Sequence, residues 1–324
     1  MPIPHGLRTI ISRLVGLVVV LVAISIVMFA LLNALPGNQA AIRIGPLPNF
    51  TPSQRATELK VLEHQLGLDR PVYVQYGIWV KHALRGDFGL TIQGQAVSQL
   101  VGGRVWPTVE LAASALLLSL VFTVLLAVGA YRSRWRIFRA AIQGGMAALL
   151  VAPAFWIGLI LIVLLATQAG WLPASGYVPF NQSASENLKH LVMPAVTLAL
   201  PLTALFFRYL FTGLQDAGTQ PFVVAARARG LTERAIIYRH VLPNGVLPTI
   251  TIVGLAIGSL MSSLVLVEQV FSWPGLGSLL IMSVDNSDYN TVIAIVLLTA
   301  ATYVVVAALV DVAYQLIDPR LRRA

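Results

Sequence analysis

The chain has 324 residues, 57% of them hydrophobic and only 11% charged, with a net charge of +9 and a mean hydropathy of +0.80. Soluble domains carry about 25% charged residues, so this composition describes a membrane protein and excludes an ordinary soluble enzyme. The absence of cysteine excludes a disulfide framework, a thiolate metal site, an iron–sulfur cluster and a thiol nucleophile. A basic excess in a soluble chain would suggest nucleic acid. Here the arginines gather in short flanks of apolar runs, so orientation across a bilayer explains them and no nucleic-acid partner is expected.

Each helical crossing needs about 20 mainly apolar residues, and six stretches qualify. The first runs from Leu14 to Leu32. Arg8 and Arg13 before it give it the look of a secretory leader, but the run is longer than a leader core of about 7–15 residues, and no small-x-small cleavage site follows, so it reads as an uncleaved span. The second runs from Leu111 to Ala130 after Glu110, and the third from about Gly145 to Ala166. The fourth, Leu191 to Leu214, is interrupted by Pro194, Pro201 and Arg208, and the prolines suggest a bent helix. The fifth begins near Val246 in the uncharged interval before Glu268, and the sixth runs from Thr291 to Val310.

An even count puts both termini on one side. Arginine and lysine in short loops are retained in the cytoplasm, whereas long loops cross almost regardless of charge. The segments 1–13, 131–139, 213–245 and 318–324 hold 13 of these residues, against Lys189 alone in 168–189 and 271–288. Both termini are therefore expected inside, and the long segment 36–104 outside. That outer segment opens with turn chemistry at Pro36-Gly37, Pro46, Pro48 and Pro52, and a helix is expected from Ser53 to Glu63. Pro71 to Leu84 is amphipathic, with Val72, Tyr76, Trp79 and Val80 at helical spacing. It suits either the headgroup level of the bilayer or the outer mouth of the bundle.

The inner segment 213–245 carries the densest structural signals. Thr219-Gln220-Pro221 starts a helix, because proline is tolerated in the first turn, and good helix formers follow to Arg229. Gly230 ends it, as glycine does where the chain turns left-handed. Thr232 and Glu233 then provide an N-cap and an acidic first turn for a second helix, bounded by Pro243 and Pro248. Two short helices joined by a glycine elbow between two spans make a stiff lever.

At these residues the sequence resembles the membrane permeases of binding-protein-dependent ABC importers. Their signature is Glu-Ala-Ala, three residues, Gly, nine residues, then Ile-x-Leu-Pro. The matching stretch is Val224-Ala225-Ala226, Gly230 and His240-Val241-Leu242-Pro243, with Val224 and His240 departing from the pattern. The form Ala226-Arg227-Ala228-Arg229-Gly230 resembles the peptide-import branch, and so do further landmarks in order along the chain. These are Leu66 to Pro71, Leu84-Arg85-Gly86-Asp87-Phe88-Gly89, Phe271-Ser272-Trp273-Pro274-Gly275-Leu276-Gly277 and Asp318-Pro319-Arg320. Ala307 departs at a position where the branch often has Asn.

The resemblance is to the B-type permease subunit of dipeptide or oligopeptide importers. It implies an all-α, six-helix fold of the type I importer permease kind, filling 1–324 as one transmembrane domain. It also implies a second homologous permease, two ATPase subunits or one fused pair, an extracytoplasmic substrate-binding protein, and surrounding lipid. Nickel and glutathione importers are related branches. ATP and Mg are expected on the partners and no cofactor on this chain, which has no Walker A loop, no His-Glu-x-x-His and no Gly-x-Ser-x-Gly.

In that frame the expected ATPase-coupling residues are Val224, Ala225, Ala226, Arg227, Arg229, Gly230, Leu242 and Pro243. The alanines allow close approach, while Arg227 and Arg229 either pair with acids on the partner or only retain the loop inside. Gly254, Gly258 and Ser262 form a small-residue stripe for helix packing, within the chain or against the second permease. Glu110, Glu268 and Asp311 read as span-end charges, and Arg208 as one within reach of the cytoplasm. An ion-gradient-driven transporter or a membrane scaffold are the readings from other classes.

Overall fold

The computed structural model describes residues 5–34, 57, 60, 61 and 70–317, the side chains of 5–15, 17, 32–34 and 309–317 excepted. Most of the helix expected from Ser53 to Glu63, most of the Leu66 to Pro71 landmark and all of Asp318 to Arg320 lie outside the described residues. The described chain is helical, its one isolated β-bridge joining Leu90 to Ala96. In order the helices are α1 (His5–Ala34), α2 (Val72–Ala83), α3 (Val97–Arg132), α4 (Arg136–Val151), α5 (Ala154–Leu161, prolonged by a π-turn Ile162–Gln168) and α6 (Ala184–Gly218). They continue with α7 (Pro221–Ala228), α8 (Glu233–Ile236), a π-turn Ile237–Val241, α9 (Leu242–Gly245), α10 (Leu247–Val270), α11 (Leu276–Asp285) and α12 (Tyr289–Ile317).

The expected first, second, fourth, fifth and sixth spans fall inside α1, α3, α6, α10 and α12. The third does not form one helix. α4 and the α5 run meet at 109°, because Pro153 lacks an N–H and forces its predecessor out of the helical region. Ala152 accordingly has ψ 128°. The prolines of the fourth span, by contrast, sit inside an unbroken α6. Pro243 likewise ends nothing, since it lies in the first turn of α9, where its missing N–H is tolerated.

Two compact units divide the chain, Met1–Trp106 with Leu279–Val304, and Pro107–Ser278 with Val305–Ala324. In the first, the amphipathic α2 packs on α1. Phe29 meets Tyr76 edge-on at 5.4 Å, and the Ser25 and Tyr76 hydroxyls are 2.8 Å apart. Beyond α2, Asp87 organises the Leu84 to Gly89 landmark by accepting from Gly89 N at 2.9 Å and pairing with His82 Nδ1 at 2.9 Å. Asn290 Nδ2 donates to the Leu90 carbonyl at 2.9 Å and so fastens this loop to the start of α12.

In the second unit α6 is the central post. One end of it packs Met193, Leu198, Leu202 and Phe206 against Leu111 of α3 and Leu260, Leu264 and Trp273 from α10 and the turn after it. The other end packs Phe207, Leu210, Phe211 and Leu214 with the last turns of α3 and the elbow helices. Lipid tails are as apolar as these side chains, so such helices associate through close packing, and glycine permits the closest approach. At Gly213 the backbones of α6 and α9 touch, and an added Cβ would collide with the Gly245 carbonyl oxygen.

Candidate functional site

The elbow forms as its residue types dictate. Gln220 is extended at ψ 150° and Pro221 opens α7. After α7, Gly230 turns left-handed at φ +78°. Leu231 N then donates to Ala226 O at 3.2 Å and Gly230 N to Arg227 O at 2.9 Å, a Schellman closure that satisfies two terminal carbonyls. Thr232 caps the next helix by accepting from Ala235 N at 3.3 Å. Across the bend, Arg227 Nε donates to Glu233 Oε1 at 2.7 Å and Nη2 to Oε2 at 3.2 Å. This pairing holds the Glu233 carboxyl below the usual range and raises the Arg227 guanidinium further.

The two faces of α7 differ. Val223 and Ala226 are buried with Ile236, Ile237 and Val241 against Phe207, Leu210 and Leu214 of α6 and Ala127, Val128 and Ala130 of α3. Phe222, Val224, Ala225 and Ala228 face outward, with Val224 63% exposed. Of the expected coupling residues, Val224, Ala225, Arg227, Arg229, Gly230 and Pro243 are exposed, Arg227 while paired within the chain, Ala226 belongs to the core, and Leu242 packs against it. Gly254, Gly258 and Ser262 lie two residues out of phase with the buried row Ala256, Leu260 and Leu264. That is about 200° around the helix, so the stripe is turned away from the α6 side of α10, and Ser262 is exposed.

A second constellation lies at the far end of α10. Glu268 is fully buried. It accepts from Thr108 Oγ1 at 2.7 Å and Ser278 N at 3.0 Å, while Leu276 N donates to the same Thr108 hydroxyl at 2.7 Å. Trp273 Nε1 donates to Pro107 O at 2.9 Å. The turn closes so tightly over the carboxylate that a Cβ on Gly275 would collide with it, and Ser272 takes a left-handed φ of +50°. Beside it Tyr177 meets Trp273 edge-on at 4.6 Å and donates to Glu110 Oε2 at 3.0 Å, and Asn187 Nδ2 donates to Glu110 Oε1 at 2.8 Å. Burial and then this carboxylate push the Tyr177 phenol up to about 12.

The span-end reading of Glu110 and Glu268 is therefore corrected. Both are hydrogen-bonded within the fold, and Glu268 organises the Phe271 to Gly277 turn. A signal was present in the sequence, because Pro274-Gly275-Leu276-Gly277 shortly after a carboxylate leaves room for that carboxylate to approach backbone N–H groups. Arg208 is exposed, and the Asp311 side chain lies outside the described residues. Among the described residues there is no cluster of three or more His, Asp or Glu with metal-ligand placement.

Among the described residues, four helices are long and apolar enough to cross a membrane, and the elbow is packed onto two of them. Residues 119–323 match the family described as binding-protein-dependent transport system inner membrane component, and 6–102 match its N-terminal region. The chain belongs to this family and is a multi-pass protein of the inner membrane. It is 35% identical over 317 residues to "Probable peptide ABC transporter permease protein y4tP" of Sinorhizobium fredii, covering 97% of this chain and 98% of that protein. It is 30% identical over 321 residues to the glutathione transport system permease protein of Salmonella choleraesuis, covering 98% and 99%. The corresponding protein of Escherichia coli K12 is 31% identical over the same length and coverage. A solved structure described as "Crystal structure of an amino acid ABC transporter with histidines" aligns at 17% identity and a TM-score of 0.49, covering 69% of this chain and 94% of that one.

Proposed function

We propose that this chain is one half of the pathway of an ATP-driven importer of short peptides, moved through its elbow by ATPase partners. The observation that carries the reading is the two-sided character of α7. Its inner face is locked into the core shared with α3 and α6, while Phe222, Val224, Ala225 and Ala228 offer an uncovered, small and apolar surface beside Arg229. A groove on an ATPase suits that surface. Displacing it moves α6 and the end of α3, because their side chains share one packed cluster.

In this reading six spans place 213–245 and 131–139 in the cytoplasm and 36–104 outside, as the 13-to-1 distribution of basic residues supports. A second homologous permease completes the pathway. Two ATPase subunits or a fused pair bind ATP and Mg, this chain itself hydrolyses nothing, and an external binding protein delivers cargo. The Sinorhizobium relative supports peptides as cargo, and the Salmonella and Escherichia relatives support glutathione, itself a short peptide, as the second reading.

Affinity purification of the tagged chain from its own membranes tests the docking. The ATPase copurifies with the wild type and is lost with Ala225→Trp, which fills the exposed face without touching the core. Undiminished copurification with that variant contradicts docking at α7. The chain has no cysteine, so a single Ser133→Cys reports the orientation, with labelling expected only from the cytoplasmic side.

A further inference from the structure

We infer that the chain carries a binding site for one anionic phospholipid of the inner leaflet, at the end of α3 beside the elbow. An open cleft of about 450 Å³ lies there, lined by Leu125, Val128, Gly129, Arg132, Ser133 and Tyr238. The first four share one face of α3 at helical spacing, so the cleft runs from Arg132 down two turns, about 10 Å, into the apolar part of the helix. Leu125 at its deep end is 65% exposed, and Gly129 keeps the wall flat, with nothing within 4 Å of a Cβ built on it. A cationic and hydroxyl-bearing mouth above an apolar trough matches a phosphodiester headgroup above an acyl chain.

The charge around the mouth selects an anion. Residues 131–139 hold Arg132, Arg134, Arg136 and Arg139 and no acidic residue. Arg132 has no ion-pair partner among the described residues. Arg139 donates Nη2 to the Ser133 carbonyl at 2.9 Å, which leaves its Nε buried without a partner. Trp135 and Ile137, 78% and 85% exposed, flank the arginines as residues of a membrane interface do. Basic pockets between helices on the cytoplasmic side recruit anionic headgroups. A soluble partner does not reach Leu125, two turns into the apolar helix.

The site rests on the orientation given under Proposed function and adds a lipid to it. Tyr238 belongs to the π-turn Ile237–Val241 of the elbow, so a lipid held between Arg132 and Tyr238 bridges α3 to the coupling loop.

Native mass spectrometry of the full chain tests this, alone and in the assembled transporter, after exchange into phosphatidylglycerol or phosphatidylcholine. One phosphatidylglycerol is retained per chain and phosphatidylcholine is not. Arg132→Gln lowers retention about fivefold, and Arg104→Gln, which removes the same charge from the other end of α3, leaves it unchanged. Leu125→Trp fills the trough, keeps every charge and also lowers retention, so the test survives a misfolding Arg132 variant. Equal retention of the two lipids, retention indifferent to both variants, displacement by inorganic phosphate, or loss of the lipid once the ATPase is bound each overturns the site. The readout is lipid mass and not transport, so a failed importer reading leaves this result separately legible.

Discussion

Arg227 and Glu233 face each other across the Gly230 bend and share two hydrogen bonds, at 2.7 and 3.2 Å. Their pairing fixes the angle between α7 and the helix after it from within the chain. Both arginines expected to reach a partner are exposed, but Arg227 is already engaged with Glu233, and Arg229 is the one without an ion pair among the described residues.

The carboxyl of Glu233 is held below its ordinary range by Arg227, so the pair stabilises the elbow above the unfolded glutamate value of about 4.3 and is lost as pH falls through the lower folded value. Arg227 stays charged throughout. Hydrogen exchange of the amides from Arg227 to Ala235 is expected to quicken only in that acid window. Glu233→Gln is expected to abolish the pH dependence.

Gly230 has open space around it and a φ of +78°, so substitutions there report backbone strain without a clash. Gly230→Val is expected to destabilise the elbow by about 1–2 kcal/mol, whereas Gly230→Asn, which tolerates the left-handed region, loses less. Limited proteolysis between α7 and α8 compares the two.

Glu268→Ala strips acceptors from the buried Thr108 hydroxyl and the partly buried Ser278 N–H. It is expected to lower stability by roughly 3 kcal/mol, read as a fall in melting temperature in detergent. Gly275→Ala drives a methyl group into the same carboxylate and is expected to be as harmful alone. The double variant Glu268→Ala with Gly275→Ala is expected to be less damaged than the sum, because the clash disappears with the carboxylate.

Tyr177 stands at about 12, through burial first and then the hydrogen bond and charge of Glu110. The neutral phenol therefore stabilises the fold below the unfolded value of about 10, and this is lost as pH rises through the folded value. Ultraviolet titration, corrected with Tyr177→Phe, is expected to show the phenol moving toward 10 in Glu110→Gln.

Much of the fold was legible because a bilayer imposes length and polarity on each crossing, and five of the six expected spans coincide with helices. The break at Ala152-Pro153 was not read. Apolar content continues through it, and only the proline's missing N–H marks it. The elbow was legible because Pro221, Gly230 and Thr232 act locally, through a fixed φ, a left-handed turn and a cap. The burial of Ala226, the Arg227–Glu233 pairing and the role of Glu268 depend on contacts between elements. Thr108 lies 160 residues from Glu268, and no local pattern couples them.

Uptake into proteoliposomes holding the assembled transporter is the most direct measurement of the central claim. Labelled short peptide is supplied outside with its binding protein, ATP is enclosed inside, and all ion gradients are collapsed. The expected result is accumulation that requires ATP and the ATPase subunits and is lost with Ala225→Trp. Accumulation by this chain alone, driven by a proton or sodium gradient without nucleotide, contradicts it.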